Sequence, residues 1–144
     1  WYPAPYQDAV AGLELQPVSR KSGLTQFAAN MVCLAPGSKS SLRHWHFQQD
    51  EFAMMTEGTL TLIEEDGAVE LGAGACAAFP ARLESGHHML NRLPKPTAFL
   101  VIGAHSETET TYYSDVDMMV KQQDGRLTYY RKNGDPIAPE ANRS

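Results

Sequence analysis

Residues 37–58, GSKSSLRHWHFQQDEFAMMTEG, carry the most informative pattern in the chain. His44 and His46 flank Trp45, and Glu51 follows after four further residues. Successive side chains of an extended strand point to opposite faces, so His44 and His46 are expected to share one face. A turn at residues 47–50 would then bring Glu51 round to the start of the next strand. Two imidazoles and a carboxylate on neighbouring strands predict a site for a divalent transition metal.

A second block, residues 74–91 (GACAAFPARLESGHHMLN), supplies a further imidazole. His87 and Asn91 are four residues apart, so their side chains face the same way on a strand. His88 is the adjacent alternative, and it would face the other side as a partly buried or interface residue. The spacing therefore favours His87 over His88 as the additional metal ligand, with Asn91 fixing its strand through a backbone hydrogen bond.

Together the two blocks resemble the cupin superfamily. Its first motif, G(X)5HXH(X)3,4E(X)6G, is matched residue by residue, with one extra residue between Gly37 and His44. Its second motif is G(X)5PXG(X)2H(X)3N, and Arg82 stands here where the family has its glycine. The gap from the motif proline to the histidine is also two residues longer. The second motif keeps its other four residues, which are Gly74, Pro80, His87 and Asn91.

The resemblance covers residues 24–135 and is closest to small single-domain, metal-binding cupins. It implies an all-β double-stranded β-helix, that is, a jelly-roll barrel. It implies one mononuclear metal site whose ligands are His44, His46, Glu51 and His87. It also implies a homodimer, which is in keeping with terminal segments that have no room in a minimal roll.

Turn-forming residues recur at short intervals along the chain and independently predict many short strands. No long 3.6-residue period is present, and this pattern favours a sandwich or a barrel. Asp66-Gly67 predicts a type I′ hairpin, because both central positions of that turn need a positive φ. The strands are predicted at residues 13–18, 24–35, 41–46, 51–56, 59–64, 68–71, 75–79, 87–92, 97–104, 110–113, 116–121 and 126–131.

We expect four parts along the chain. Residues 1–23 form an N-terminal arm and edge strand, and residues 24–105 form the barrel core. Residues 106–132 provide C-terminal strands that pack on the barrel or on a dimer partner. Residues 133–144 have two prolines and few apolar side chains, which predicts a disordered tail.

Composition limits the partners of this 144-residue chain. Lys and Arg number 12 against 17 Asp and Glu, a net charge of −5, and no basic run is present, so nucleic acid is not an expected partner. No apolar run approaches the roughly 20 residues that a membrane helix requires. No segment has the pattern of a secretory signal, so the cytoplasm is the expected compartment. The two cysteines, Cys33 and Cys76, are predicted to be buried thiols on strands, with a disulfide or redox pair as the alternative.

The predicted donor set determines what the site can do. Three neutral imidazoles and one carboxylate leave a divalent ion with a net charge near +1. An ion that prefers six ligands would keep about two positions for water, substrate or dioxygen, and such open positions distinguish catalytic sites from closed structural ones. Fe, Mn, Ni, Cu and Zn all suit these donors.

The surroundings of the site predict a small apolar pocket. Its expected lining is Ala53, Met55 and Met89, with Phe99 or Val101 from the last core strand. Such a pocket suits a compact organic substrate that binds the metal through an oxygen atom. Two residues are predicted to be catalytic. Glu51 acts at the metal, and Arg82 would reach over the mouth and pair with an anionic substrate.

The predicted function is a metal-dependent enzyme that acts on a small organic molecule. The reaction is either oxidative, as in a dioxygenase, or non-oxidative, as in an isomerase or lyase. The resemblance favours the oxidative form, because three histidines and one glutamate recur in cupin dioxygenases. A sensor or storage protein that binds metal or a small ligand without turnover is the alternative. A metal-free sugar-nucleotide epimerase fits less well, because those cupins lack the full set of donors.

Overall fold

Short strands joined by turns make up almost all of the folded chain. The computed structural model describes residues 2–137. Its helical segments are a 3-10 turn at Gln7–Val10 and a single turn, α1, at Val18–Lys21. No helix within this part of the chain is long and apolar enough to cross a membrane. The strands are β1 (Leu13–Pro17), β2 (Phe27–Leu34), β3 (His44–His46), β4 (Glu51–Glu57), β5 (Thr59–Glu64), β6 (Gly67–Gly72), β7 (Cys76–Phe79), β8 (His88–Leu90), β9 (Thr97–Ala104), β10 (Thr108–Tyr113), β11 (Met119–Gln123) and β12 (Arg126–Tyr130).

The strands form antiparallel sheets that enclose one core. A five-stranded sheet has the order β1-β2-β9-β4-β7, a four-stranded sheet the order β12-β11-β10-β3, and a three-stranded sheet the order β6-β5-β8. Isolated bridges between His44 and His87 and between Lys39 and Leu90 join the two smaller sheets into one layer. The predicted all-β jelly-roll barrel is confirmed.

The core lies between these layers because each strand turns alternate residues inward. Val32 of β2, Met55 of β4 and Phe99 of β9 are at most 4% exposed. They pack with buried residues of the opposite layer, including Leu62 of β5 and Met89 of β8. This packing fixes the inner face of the five-stranded sheet, from which the site is built.

A second cluster of buried side chains lies under the N-terminal arm. Tyr113 and Met118 pack there with Tyr2 and Leu42. The rings of Tyr2 and Tyr113 meet edge to face with centroids 5.5 Å apart. The Tyr2 hydroxyl accepts a hydrogen bond of 3.2 Å from the Leu42 amide. The arm and the C-terminal strands therefore bury each other on the barrel.

Several predicted boundaries differ from the structure. The strand predicted at residues 41–46 is limited to β3, and Leu42 packs in the second cluster instead of sharing a face with the two histidines. The strand predicted at residues 24–35 begins only at Phe27, because α1 precedes it. The Ser19 hydroxyl of α1 accepts a 2.9 Å hydrogen bond from the Ala29 amide and so holds this turn against β2.

The hairpin between β5 and β6 is present, but its predicted turn type is wrong. Glu64 pairs with Gly67, so Glu65 and Asp66 are the two turn residues. Neither has a positive φ, whereas Gly67 has a φ of 136°. The glycine therefore supplies its unusual backbone conformation at the first position of β6, after the turn.

The C-terminal end and the cysteines also correct the predictions. Residues 133–137, predicted to be disordered, form a turn in which the Ile137 amide donates to the Tyr129 carbonyl. Residues 138–144 lie outside the described part of the chain. Both cysteines are free thiols on strands, but Cys33 is only partly buried and Cys76 is exposed. Cys76 is exposed because it lies on β7 at the edge of the sheet, on the face away from the core.

Candidate metal centre

A backbone bridge brings the two sequence blocks together. The His44 amide donates to the His87 carbonyl at 3.2 Å, and the His87 amide donates to the His44 carbonyl at 2.9 Å. Their imidazole centroids are consequently 4.8 Å apart. This pairing places the two blocks side by side, although they are far apart in the sequence.

His44 is fixed in the tautomer that suits metal binding. Its Nδ1 lies 2.9 Å from the Leu42 carbonyl, which can only accept a hydrogen bond, so Nδ1 carries the proton. The Ser41 hydroxyl lies 3.1 Å from the same nitrogen. Burial lowers the pKa of His44 to about 4, although the neighbouring Glu51 opposes the shift. The imidazole is thus neutral at pH 7 and keeps a free lone pair on Nε2.

His46 stands at right angles to His44 and is held from behind. The two ring centroids are 4.9 Å apart with an interplanar angle of 88°. The His46 Nδ1 lies 3.2 Å from the Thr111 hydroxyl, and its Nε2 lies 3.5 Å from Oε2 of Glu51. Because Thr111 engages Nδ1, the other nitrogen faces the carboxylate.

Glu51 is the carboxylate on which the imidazoles converge. It begins β4 and pairs with Gly103 of β9 and with Phe79 of β7. Its Oε1 accepts a 2.9 Å hydrogen bond from Nε2 of His87. Burial raises the pKa of Glu51, but hydrogen bonds from His46 and His87 lower it by more, so the pKa lies below its usual range. Glu51 is therefore ionised in the neutral pH range.

The structure places His87, and not His88, beside the carboxylate. His87 is 4% exposed and stacks face to face on Phe79, with ring centroids 3.5 Å apart. Its Nδ1 is buried and has no hydrogen-bond partner among residues 2–137. His88 points to the opposite side, where it lines a surface depression with Asp8 and Lys39. Burial, together with the nearby Lys39 charge, lowers the pKa of His88.

These residues fit a divalent transition metal. One donor atom from each of His44, His46 and Glu51 lies within 4.8 Å of the other two. His87 adjoins this group through its hydrogen bond to Glu51. Neutral imidazoles and an ionised carboxylate are the protonation states in which these side chains bind metals. The set can hold one ion, and the donor types do not select which ion.

A buried carboxylate that the sequence analysis missed supports the centre. Glu109 of β10 is 4% exposed, accepts from the amides of Phe47 and Gln48 at 2.8 and 3.1 Å, and lies 4.0 Å from Nδ1 of His46. It fixes the turn that separates His46 from Glu51. The signal was available, because strict alternation in TETTYY (residues 108–113) turns Glu109 and Thr111 to the same face.

Three of the donors, His44, Glu51 and His87, line an apolar pocket of about 130 Å³ inside the barrel, and His46 lines a smaller neighbouring cavity with Phe79 and His87. Four of the predicted lining residues are present there: Ala53, Met89, Phe99 and Val101. Met55, the fifth, is buried in the core and does not line the pocket. Leu15 of β1 lines the pocket and is 51% exposed, so the pocket opens to solvent beside β1.

Arg82 lies outside this pocket. Its side chain is exposed, and the guanidinium carbon stands 5.1 Å from the centroid of the Phe47 ring. Its backbone amide donates to the His46 carbonyl at 2.9 Å, and its φ is 65°. A positive φ favours glycine, so Arg82 keeps the backbone conformation of the glycine it replaces in the motif. Its pairing with an anionic substrate remains a prediction.

Comparisons with known proteins agree with this geometry. A family model described as Cupin domain matches residues 30–103, just over half of the chain. Among curated proteins, none matches the sequence. The crystal structure of a sugar phosphate isomerase from a cupin superfamily, from Silicibacter pomeroyi DSS-3, is 47% identical, with a TM-score of 0.92 over 95% of this chain and 87% of that one.

More distant structures share the fold. A candidate sugar phosphate isomerase from Acidithiobacillus ferrooxidans is 19% identical, with a TM-score of 0.79 over 89% of this chain and 81% of that one. A polyketide cyclase from Streptomyces resistomycificus is 17% identical, with a TM-score of 0.59 over 67% of each chain. The matched family model and the 47% identical structure, together with the two motifs on one barrel, lead to one conclusion: the chain belongs to the cupin superfamily.

Proposed function

We propose that this protein is a metal-dependent enzyme that isomerises a small hydroxycarbonyl compound. The observation that carries the proposal is the convergence of His44, His46, Glu51 and His87 beside an apolar pocket that three of them line. The reaction class is supported by the Silicibacter pomeroyi protein, which is named a sugar phosphate isomerase and is 47% identical over 95% of this chain. A cytoplasmic location remains our expectation from the sequence.

The four side chains would hold a divalent ion, which when bound supplies Lewis acidity to a carbonyl or hydroxyl oxygen. His44 offers Nε2, because its Nδ1–H is held by the Leu42 carbonyl. Glu51 is the one carboxylate among the described residues that line the pocket, and it is ionised. Its Oε2, which lies 3.5 Å from Nε2 of His46 and does not bond His87, would accept a proton from a substrate carbon.

The pocket itself selects the reactive end of a substrate. A volume of about 130 Å³ equals that of roughly four water molecules, so it takes a group of a few heavy atoms. The hydroxyls of Ser40 and Ser41 line it together with apolar side chains. No Lys or Arg of the described chain lines it, so a phosphate on the substrate would lie beyond the mouth, past Leu15.

Oxidation of a small substrate is the second candidate, and the donor set favours it. Three imidazoles and one carboxylate leave about two positions of a six-coordinate ion open, enough for a substrate oxygen and dioxygen together. The name of the 47% identical relative favours isomerisation, so oxidation ranks second. A metal-binding protein without turnover is the third outcome that the experiment must separate.

The test measures metal content first and chemistry afterwards. Protein purified without added metal and then reconstituted with single divalent ions should bind close to one equivalent, with Glu51→Gln as the matched low-affinity control. Loaded protein should then exchange the hydrogen on the carbon next to the carbonyl of small hydroxyaldehydes, hydroxyketones or sugar phosphates with deuterium from solvent, without oxygen uptake. Oxygen uptake without exchange would replace isomerisation by oxidation. Less than a tenth of an equivalent of any ion would exclude the metal-dependent function altogether.

A further inference from the structure

A bulge at residues 40–43 interrupts the backbone pairing beside the metal centre. On one side of it Lys39 bridges to Leu90, and on the other His44 bridges to His87. Four residues of the first segment therefore lie opposite only two of the second. A bulge changes the direction in which side chains point, and bulges are common next to active sites. The one residue that this chain has in excess of the first cupin motif falls in the same stretch, before His44.

The bulge places two consecutive serines on the wall of the pocket at the metal centre. Neighbouring residues of a regular strand would face opposite sides of the sheet. Ser40 and Ser41 instead both line the pocket of about 130 Å³, together with three of the metal donors. The other side chains of the wall are aliphatic, aromatic or thioether groups. The two hydroxyls are therefore the neutral polar groups that a molecule in this pocket would meet.

Each of the two hydroxyl oxygens already accepts a hydrogen bond from the protein. The Ser40 Oγ accepts from the Met89 amide at 2.9 Å. The Ser41 Oγ lies 3.1 Å from Nδ1 of His44, which carries the proton because it also bonds the Leu42 carbonyl. Among residues 2–137, no group accepts the proton of either hydroxyl. Each serine therefore has an O–H group that it can donate to a molecule in the pocket.

The charges of the pocket wall indicate which kind of ligand group suits these two donors. A phosphate or carboxylate that is buried beside them would need a cationic partner of its own. No Lys or Arg of the described residues lines the pocket. A hydroxyl or carbonyl oxygen is neutral and needs only hydrogen-bond donors, which the serines supply. The pair therefore suits a neutral oxygen atom of a small organic molecule.

We propose that Ser40 and Ser41 form an oxygen-binding subsite that determines which substrate the metal centre accepts. They bind a hydroxyl or carbonyl oxygen on the carbon next to the hydroxycarbonyl group of the substrate. The substrate class is thus a small compound with oxygen atoms on at least three consecutive carbons. This inference rests on the proposed function and deepens it, since it names what the substrate carries beyond its reacting group.

Two hydroxamates that differ by one hydroxyl group test the proposal. Acetohydroxamate and glycolohydroxamate bind metals through the same two oxygens, and glycolohydroxamate has a further hydroxyl on the next carbon. The protein is loaded with the divalent ion that it binds most tightly, and both compounds are titrated by calorimetry. Glycolohydroxamate should bind about tenfold more tightly to the wild type, because its extra hydroxyl is hydrogen-bonded by the serines. The readout is the ratio of the two dissociation constants, since damage to the metal centre changes both alike.

Serine substitutions show whether the two hydroxyls cause this preference. Ser40→Ala and Ser41→Ala should each lower the ratio about threefold, and the double variant should bring it close to one. Ser38→Ala is the matched control and should keep the wild-type ratio, because Ser38 lines the depression beside His88 and not this pocket. Circular dichroism identifies a variant that fails to fold, and the other single substitution then decides.

The outcomes for the subsite and for the proposed reaction are separate. A wild-type ratio below about two, a ratio that survives the double substitution, or binding of neither hydroxamate would overturn the subsite. Deuterium exchange judges the reaction. Exchange without a preference for the extra hydroxyl would remove the subsite and leave the isomerase. A preference that depends on both serines, without exchange, would keep the subsite and remove isomerisation.

Discussion

The inner and outer faces of the five-stranded sheet are made by the same strands and yet have opposite chemistry. On β4, Ala53 and Met55 point into the core, while Phe52 and Met54 point outward. The inner face holds the ionised Glu51 among apolar neighbours, and the centre of the outer face holds no charge. The charge thus lies on the buried side of the sheet, and the uncharged surface lies on the solvent-exposed side. The usual distribution places charges outside and apolar residues inside.

The two faces show that alternate residues of one strand meet separate requirements, those of the buried core on one side and those of function on the other. A buried carboxylate is stable only when hydrogen bonds replace its water, and Glu51 has such bonds from two histidines. The outer face makes no contribution to the core of one chain. An exposed apolar face of this kind is typical of a surface to which another molecule binds.

The largest expected effect comes from placing one charge on each face. Met55→Lys should destabilise the chain by at least about 4 kcal/mol, because Met55 is 2% exposed and a buried ammonium has no partner there. Met54→Lys is the neighbouring control and should change the stability of the single chain by less than about 0.5 kcal/mol. Urea unfolding at several protein concentrations measures both. Equal losses for the two variants would contradict the assignment of faces.

The next effect separates two adjacent histidines on the inner and outer sides of their strand. His87→Ala should weaken metal binding at least about a hundredfold, because it removes an imidazole beside Glu51. Removing a side chain that only supports a metal ligand would have a smaller effect. His88→Ala should keep the wild-type affinity, since His88 faces Lys39. Calorimetric titration with the metal found in the protein measures both. Loss of binding in His88→Ala alone would reassign the ligand.

The smallest effect is the pH dependence of the metal-free protein. The pKa of His44 is about 4 in the folded chain and 6.5 ordinarily, so the unfolded chain binds more protons between these values. Stability therefore falls as the pH falls, by about 2 kcal/mol between pH 7 and pH 5. Thermal unfolding in a chelator measures the loss, which His44→Gln should abolish. Both proteins in this measurement should also carry His88→Gln, because burial lowers the pKa of His88 as well. An unchanged slope in His44→Gln would show that His44 is not the group responsible.

Much of the centre could be predicted because its signals are local. HWH places two imidazoles on one face of a strand by alternation alone, and Glu51 follows at the start of β4. Short strands in a sandwich or barrel were predictable for the same reason, since turns and short apolar runs are read from neighbouring residues, and the resemblance to the cupin superfamily implied the jelly roll. Glu109 was missed because its role depends on its distance from Phe47 and Gln48, which lie in another part of the chain.

The turn between β5 and β6 and the end of the chain show the limit of local signals. Asp66-Gly67 indicated a hairpin correctly, but the register of Glu64 with Gly67 moved the turn by one residue. A polar, proline-containing segment at residues 133–137 indicated disorder, and hydrogen bonds to β12 and the chain following it order it. In both cases a partner strand outweighed the preference of the segment itself.

The family, the class of fold and the side chains able to bind a metal could all be inferred from the amino-acid order, because each depends on residue types at short spacings. Strand pairing in three dimensions selects His87 rather than His88 as the neighbour of Glu51, through the backbone bridge to His44. Strand pairing also leaves Arg82 outside the pocket and places Phe27 and Phe52 together on the outer face of the five-stranded sheet. These outcomes depend on pairing between distant strands, and the physical reason is that register sets which face each residue occupies.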